Sequence, residues 1–207
     1  MSTRFRSLTV CGAALAALTV NVTHADPSPV ASIPATPATV VSYTGVAVGP
    51  VGFDDSTSGL SISCNSSTIV GLADVGGSPP IAPPIELQTL DAPNSTWSGC
   101  GGSVGLDIAV AGQGTWNFSW DTYNGSDVTT GRITDVNAHV SSSDGGTCGF
   151  DVTGVVNATF TNSSQNLAIS PDATLSISNV SGCFGLINDG DQGSMAATYN
   201  VTTGGRI

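Results

Sequence analysis

From Val40 onward apolar residues alternate with polar ones, the period of a strand with one face in a core and the other in water. Val104, Leu106, Ile108 and Val110 share a parity against Gly105, Asp107 and Ala109. Trp116, Phe118 and Trp120 alternate with Asn117, Ser119 and Asp121, and Phe150, Val152, Val156, Ala158 and Phe160 take one side of a long run. Shorter alternations cover Leu60–Cys64, Ile85–Leu87, Val136–Val140, Leu175–Ile177 and Met195–Val201. No stretch of useful length repeats at the helical period without Gly or a β-branched interruption, and Gly, Asn, Asp and Ser punctuate the runs. The pattern predicts an all-β chain of about nine to eleven antiparallel strands, arranged as a β-sandwich or barrel.

One internal match stands above composition. Ser98-Gly99-Cys100 is followed, 15 residues past the cysteine, by Thr115-Trp116-Asn117-Phe118, and Ser181-Gly182-Cys183 is followed at the same distance by Thr198-Tyr199-Asn200-Val201. The two copies are offset by 83 residues, Cys64 and Cys148 are offset by 84, and the spacing within each half is 36 against 35. We read this as duplication of a unit of about 80 residues. Such a unit buries too little apolar surface to stand alone, so residues 41–207 are expected to form a single domain of two repeats, about 41–122 and 123–207.

Two segments of different character come first. Arg4 and Arg6 precede an apolar stretch from Leu8 to Val22, and the small residues Thr23 and Ala25 flank His24, which is the form of a secretory signal peptide over 1–25. Its apolar stretch falls short of the roughly 20 residues that span a bilayer, and Val10 ahead of Cys11 argues against a lipid anchor. Residues 26–40, with four prolines, read as an extended linker. The expected setting is extracellular or the cell envelope, with no transmembrane span in the mature chain.

An exported chain with Cys64, Cys100, Cys148 and Cys183 is expected to form two disulfides. Zinc binding is the weaker alternative, because no C-x-x-C spacing occurs and only His139 could join the cysteines. Three connectivities are open and all respect the repeat, but a single ancestral unit could close only its own pair. That history favours Cys64 with Cys100 and Cys148 with Cys183.

Charge narrows the function classes. The 207 residues hold 15 Asp plus Glu against 4 Lys plus Arg, a charged fraction of 9% that leaves Gly, Ser, Thr and Asn to dress the surface. Without residues 1–25 the strong bases are Arg132 and Arg206, no lysine remains, and the net charge is −13. Such a field repels phosphate backbones and anionic lipid, so nucleic-acid binding is not expected.

Candidate chemistry is sparse. A Ser-His-Asp triad would need His139, but Val136, Ala138 and Val140 claim the apolar face of its run and put the imidazole on the polar one, with no nucleophile elbow in sight. A carboxylate-pair hydrolase would use Glu86 and one of fourteen aspartates. Asn188-Asp189-Gly190-Asp191 and Asp54-Asp55 have the oxygen density calcium favours, yet Asn-Asp-Gly is turn chemistry in its own right and no EF-hand surrounds it. The Trp116, Phe118, Trp120 stripe could stack on sugars but reads better as core. Eight N-x-S/T sequons follow residue 25, attributable to composition. No catalytic residue, metal or cofactor is assigned.

The segment from Cys148 to Val201, with Gly154-Val155-Val156-Asn157-Ala158-Thr159-Phe160 and Asn179-Val180-Ser181-Gly182-Cys183-Phe184-Gly185-Leu186-Ile187-Asn188-Asp189-Gly190-Asp191, resembles a group of secreted β-rich proteins of actinobacteria. The resemblance extends to the signal, the cysteine number and the tryptophan-bearing first half. It implies an exported setting and carries over no catalytic residue. The leading expectation is a non-enzymatic secreted or envelope-associated domain, binding or structural, with cell-wall glycan or another surface protein as partner. A polysaccharide hydrolase and a carrier of apolar ligands are the alternatives, and a pore across an outer membrane would require a lipid-facing band.

Overall fold

The computed structural model describes residues 39–75, 85–103, 105–124, 127–143, 146–172 and 174–203. The signal segment, most of the linker, Val104 and the side chain of Glu86 lie outside the described residues. The described strands are β1 (Thr39–Ala47), β2 (Val51–Asp55), β3 (Ser61–Val75), β4 (Ile85–Asp91), β5 (Thr96–Gly102) and β6 (Asp107–Gly112). They continue as β7 (Thr115–Tyr123), β8 (Val128–Ser142), β9 (Gly149–Thr161), β10 (Asn166–Ser170), β11 (Leu175–Ser181) and β12 (Gln192–Thr203). The number depends on where a bent strand is divided, because β1 and β2 are parted only by Val48-Gly49-Pro50 and β6 and β7 only by Gln113 and Gly114.

Every pairing is antiparallel, and eight strands close a barrel in the order β1-β3-β4-β7-β8-β9-β10-β12, with β12 returning to β1. The other four strands stand outside that ring and repeat it one level down. β2 lies between β3 and β12, β5 and β6 between β3 and β8, and β11 between β9 and β12. The long strands β3, β8, β9 and β12 serve both levels. The remaining four staves are each split into two short strands, an upper one (β1, β4, β7, β10) and a lower one (β2, β5, β6, β11). Chain order is therefore an up-and-down meander of eight staves, the arrangement in which neighbours in sequence pair and no sheet edge is left open. Barrel, not sandwich, is the outcome.

Alternation puts the apolar faces inside. Phe150, Val152, Val156, Ala158 and Phe160 of β9 are all buried, as are Met195, Ala197, Tyr199 and Val201 of β12. On some staves the inward parity slips by one at mid-length, as on β3 between Cys64 and Ser67. On β8 the inward residues change from Thr129 and Ile133 to Val136, Ala138 and Val140 across Asp135, which sits at φ 59° in a bulge opposite β9. On β5 the slip falls at Gly99, φ 61°. A short polar side chain or glycine tolerates that conformation, so the bulge re-aims the strand without breaking it. The bridges Cys64–Cys100 and Cys148–Cys183 both form, each within one half of the chain, and both fasten the lower level. They fit an oxidising compartment.

Candidate functional site

Large side chains fill the upper level of the barrel. Trp116 is buried and its indole N–H donates to the carbonyls of Gln113 and Asn137, at 3.2 Å each. Trp120 donates to the Leu87 carbonyl at 2.9 Å and stacks on Phe118 with ring centroids 5.4 Å apart. The aromatic stripe is thus core, held in place by backbone acceptors. Tyr43 and Tyr199 are fully buried beside it, and burial pushes both phenols above their ordinary pKa. Tyr199 shares a 3.1 Å hydrogen bond with Ser67, which together with the nearby Trp97 indole works against the upward push of burial, whereas the Tyr43 hydroxyl has no partner among the described residues.

The lower level is different, because its inward positions are mostly Val, Ala, Ile and Met. There the interior holds a partly open cavity of about 60 Å³ with almost wholly apolar walls. Every stave contributes, for example Val51, Ile62, Val110, Val152, Leu175 and Met195, so the space lies inside the barrel and not between it and a loop. Trp97 and Trp116, tilted at 31° with centroids 6.1 Å apart, bound it on the side of the upper level. One water takes up roughly 30 Å³ in the liquid, so this is room for about two to three methyl-sized groups, and an apolar cavity of such size stays dry. The cavity has a trace in the sequence: at the lower level the inward residues of β6 and β8 are Ile108, Val110, Val136, Ala138 and Val140, while the upper level takes Tyr43, Trp116, Trp120, Phe160 and Tyr199.

The polar candidates lie elsewhere and are not brought together. His139 faces outward as its parity requires, and its Nδ1 meets Asp151 Oδ1 at 2.6 Å across the β8–β9 ladder. The other carboxylate oxygen accepts from the Asn179 amide at 2.8 Å. These two bonds, that from His139 first, hold the Asp151 carboxyl below the ordinary carboxylate range. The cluster clasps β8, β9 and β11 on the outer wall; its third member is an amide, not a nucleophilic hydroxyl. Glu86 is placed on β4 with its backbone opposite Asp74. Asp55 is buried and accepts from the Thr57 and Ser58 amides and the Ser58 hydroxyl, closing the turn into β3. Asp191 accepts from the Asn188 amide, and Asp189 accepts from that of Val180. The aspartates of both oxygen-rich segments therefore serve as turn acceptors.

The outer wall is a coat of neutral polar groups. Thr122, Thr130 and Thr159 lie side by side across β7, β8 and β9, and Ser66 bonds Ser98 between β3 and β5. A lipid-spanning barrel carries an apolar band on its outer wall, whereas these positions carry hydroxyls, and Val46, Leu72 and Val155 are exposed elsewhere on the wall. Among the described residues no helix is long and apolar enough to cross a membrane. Alternation also explains sequons: in Asn117-Phe118-Ser119, Asn157-Ala158-Thr159 and Asn200-Val201-Thr202 the polar members face out around an inward apolar one. The three amides already donate, to Asp135, Asp172 and the Ser164 carbonyl.

Comparison with known proteins identifies no relative: no family model, no curated protein and no solved structure matches this chain.

Proposed function

We propose that the chain is exported, to the medium or the cell envelope, and works there without catalysis as a β-barrel that binds a small apolar molecule in its interior. The observation that carries this reading is the cavity of about 60 Å³ lined by residues of all eight staves. An eight-stranded barrel has an interior just wide enough to be filled by its own side chains or to hold one small ligand. Here the large aromatic side chains gather at the upper level and the cavity lies at the lower one. Apolar walls within a polar coat separate a site for hydrocarbon from a surface for water. Two disulfides support an oxidising location.

The reading includes descent from a duplicated unit. In its support, β3 pairs with β4 and β5 as β9 pairs with β10 and β11, and each half closes its own bridge. Gly99 and Gly182, at matching places in the two Ser-Gly-Cys motifs, take φ 61° and 63°. The binding test is a series of thermal melts of the purified, oxidised chain under increasing pressure of propane. A rise of the melting temperature that saturates with propane supports the reading. An unchanged melting temperature, with unperturbed tryptophan emission, overturns it.

A further inference from the structure

We infer that this cavity takes a hydrocarbon group of about two to three carbons that bears no hydrogen-bonding function, either a small free hydrocarbon or the end of an alkyl chain. The inference rests on the binding reading above and specifies its ligand.

The first argument is the state of the polar groups at the wall. Two indole N–H groups, those of Trp97 and Trp116, are the donors closest to the cavity. That of Trp116 is engaged by the carbonyls of Gln113 and Asn137, and the Trp97 indole lies by the Tyr199 phenol, whose ionised form it favours. Cys64 is closed in a disulfide and offers no thiol. Backbone groups of the wall belong to the ladders that close the barrel. A ligand hydroxyl, carbonyl or amine would enter unpaired and lose its bonds to water. An anionic head is disfavoured further, because Asp55, the next inward residue of β2 after Val51 and Phe53, is itself buried.

The second argument is size. About 60 Å³ is about twice the roughly 30 Å³ that one water takes up in the liquid, which leaves room for about two to three methyl- or methylene-sized groups. The walls fix the shape through branched Val and Leu side chains, and Met195 alone is unbranched and able to re-fit around different hydrocarbon outlines.

The test uses isosteric pairs on the purified, oxidised chain: propane against ethanol, and ethane against methanol, each titrated by thermal shift and by ligand-observed NMR, the gases under pressure. The expected result is saturable binding of propane and ethane, and binding at least roughly tenfold weaker for ethanol and methanol. Equal binding within each pair would overturn the hydrocarbon assignment while leaving the binding barrel intact. Failure of all four probes would instead overturn the binding barrel. Decyl maltoside distinguishes the sources: binding comparable to propane identifies a chain end, and exclusion identifies a small free hydrocarbon. Ala138→Leu, which adds three carbons to the cavity wall, should abolish propane binding, and Val136→Leu serves if that variant does not fold. Undiminished binding in a folded variant would overturn the placement of the ligand.

Discussion

Removal of the Cys64–Cys100 bridge by the double substitution Cys64→Ala, Cys100→Ala is expected to lower stability by about 4 kcal/mol. The bridge joins residues 36 apart in sequence that face each other in register on β3 and β5. In the folded barrel it adds little order, since those strands are already paired at six registered positions from Ile62 to Thr68. Its effect falls on the unfolded chain, where closing a loop of that length removes about 13 cal/mol/K of entropy, or about 4 kcal/mol at room temperature. Both sulfurs are buried, so the alanines also leave unfilled space next to the cavity, a smaller loss of the same sign. For a fold of this size each kcal/mol is worth roughly 2–4 °C, so the melting temperature should fall by roughly 8–16 °C. Circular dichroism melts of the parent and the variant measure it, with a non-reducing peptide map confirming that Cys148–Cys183 is retained. A folded variant that melts within about 3 °C of the parent would refute the reasoning, because the loop would then not be what limits the unfolded ensemble.

Other predictions concern buried phenols and the outer clasp. Tyr43→Phe should be neutral or stabilising, because the hydroxyl it removes is buried without a partner, whereas Tyr199→Phe should cost about 1 kcal/mol by breaking the bond to Ser67; chemical denaturation compares them. Both phenols have raised pKa values in the folded state, so the stability they contribute is fully present below about pH 10 and is lost as pH rises beyond it. Absorbance at the tyrosinate band should therefore show Tyr43 and Tyr199 ionising only together with unfolding. Asp151 has a lowered pKa, so its contribution is present above the unfolded value near pH 4 and is lost as pH falls through the folded one; Asp151→Asn should flatten the acid limb of a stability–pH curve.

The strands that sequence made visible are those whose inward positions carry large residues in strict alternation, such as Trp116 to Trp120 and Phe150 to Phe160. β1, β5 and β10 were not resolved as separate runs. In β1 the inward set includes Gly45, against which the Ile69 side chain packs, and in β5 the parity changes at Gly99. A period-2 pattern cannot register a positive φ, and so Asp135 reads as an ordinary polar residue when it in fact turns the stave. Closure was equally hidden, because it depends on β12 finding β1 across nearly the whole described chain. The cysteine pairing was legible because each bridge is local to its half. The cavity was not, since a void is set by the sum of side-chain volumes around a ring whose members come from eight separate stretches.

The most direct measurement is a crystal structure of the oxidised chain under xenon pressure. The account predicts a xenon atom inside the lower level, within contact of Val110, Val136, Val152 and Met195, in a barrel otherwise unchanged and with no ordered water there. Side chains collapsed into that space with no xenon bound, or ordered waters occupying it, would contradict the account.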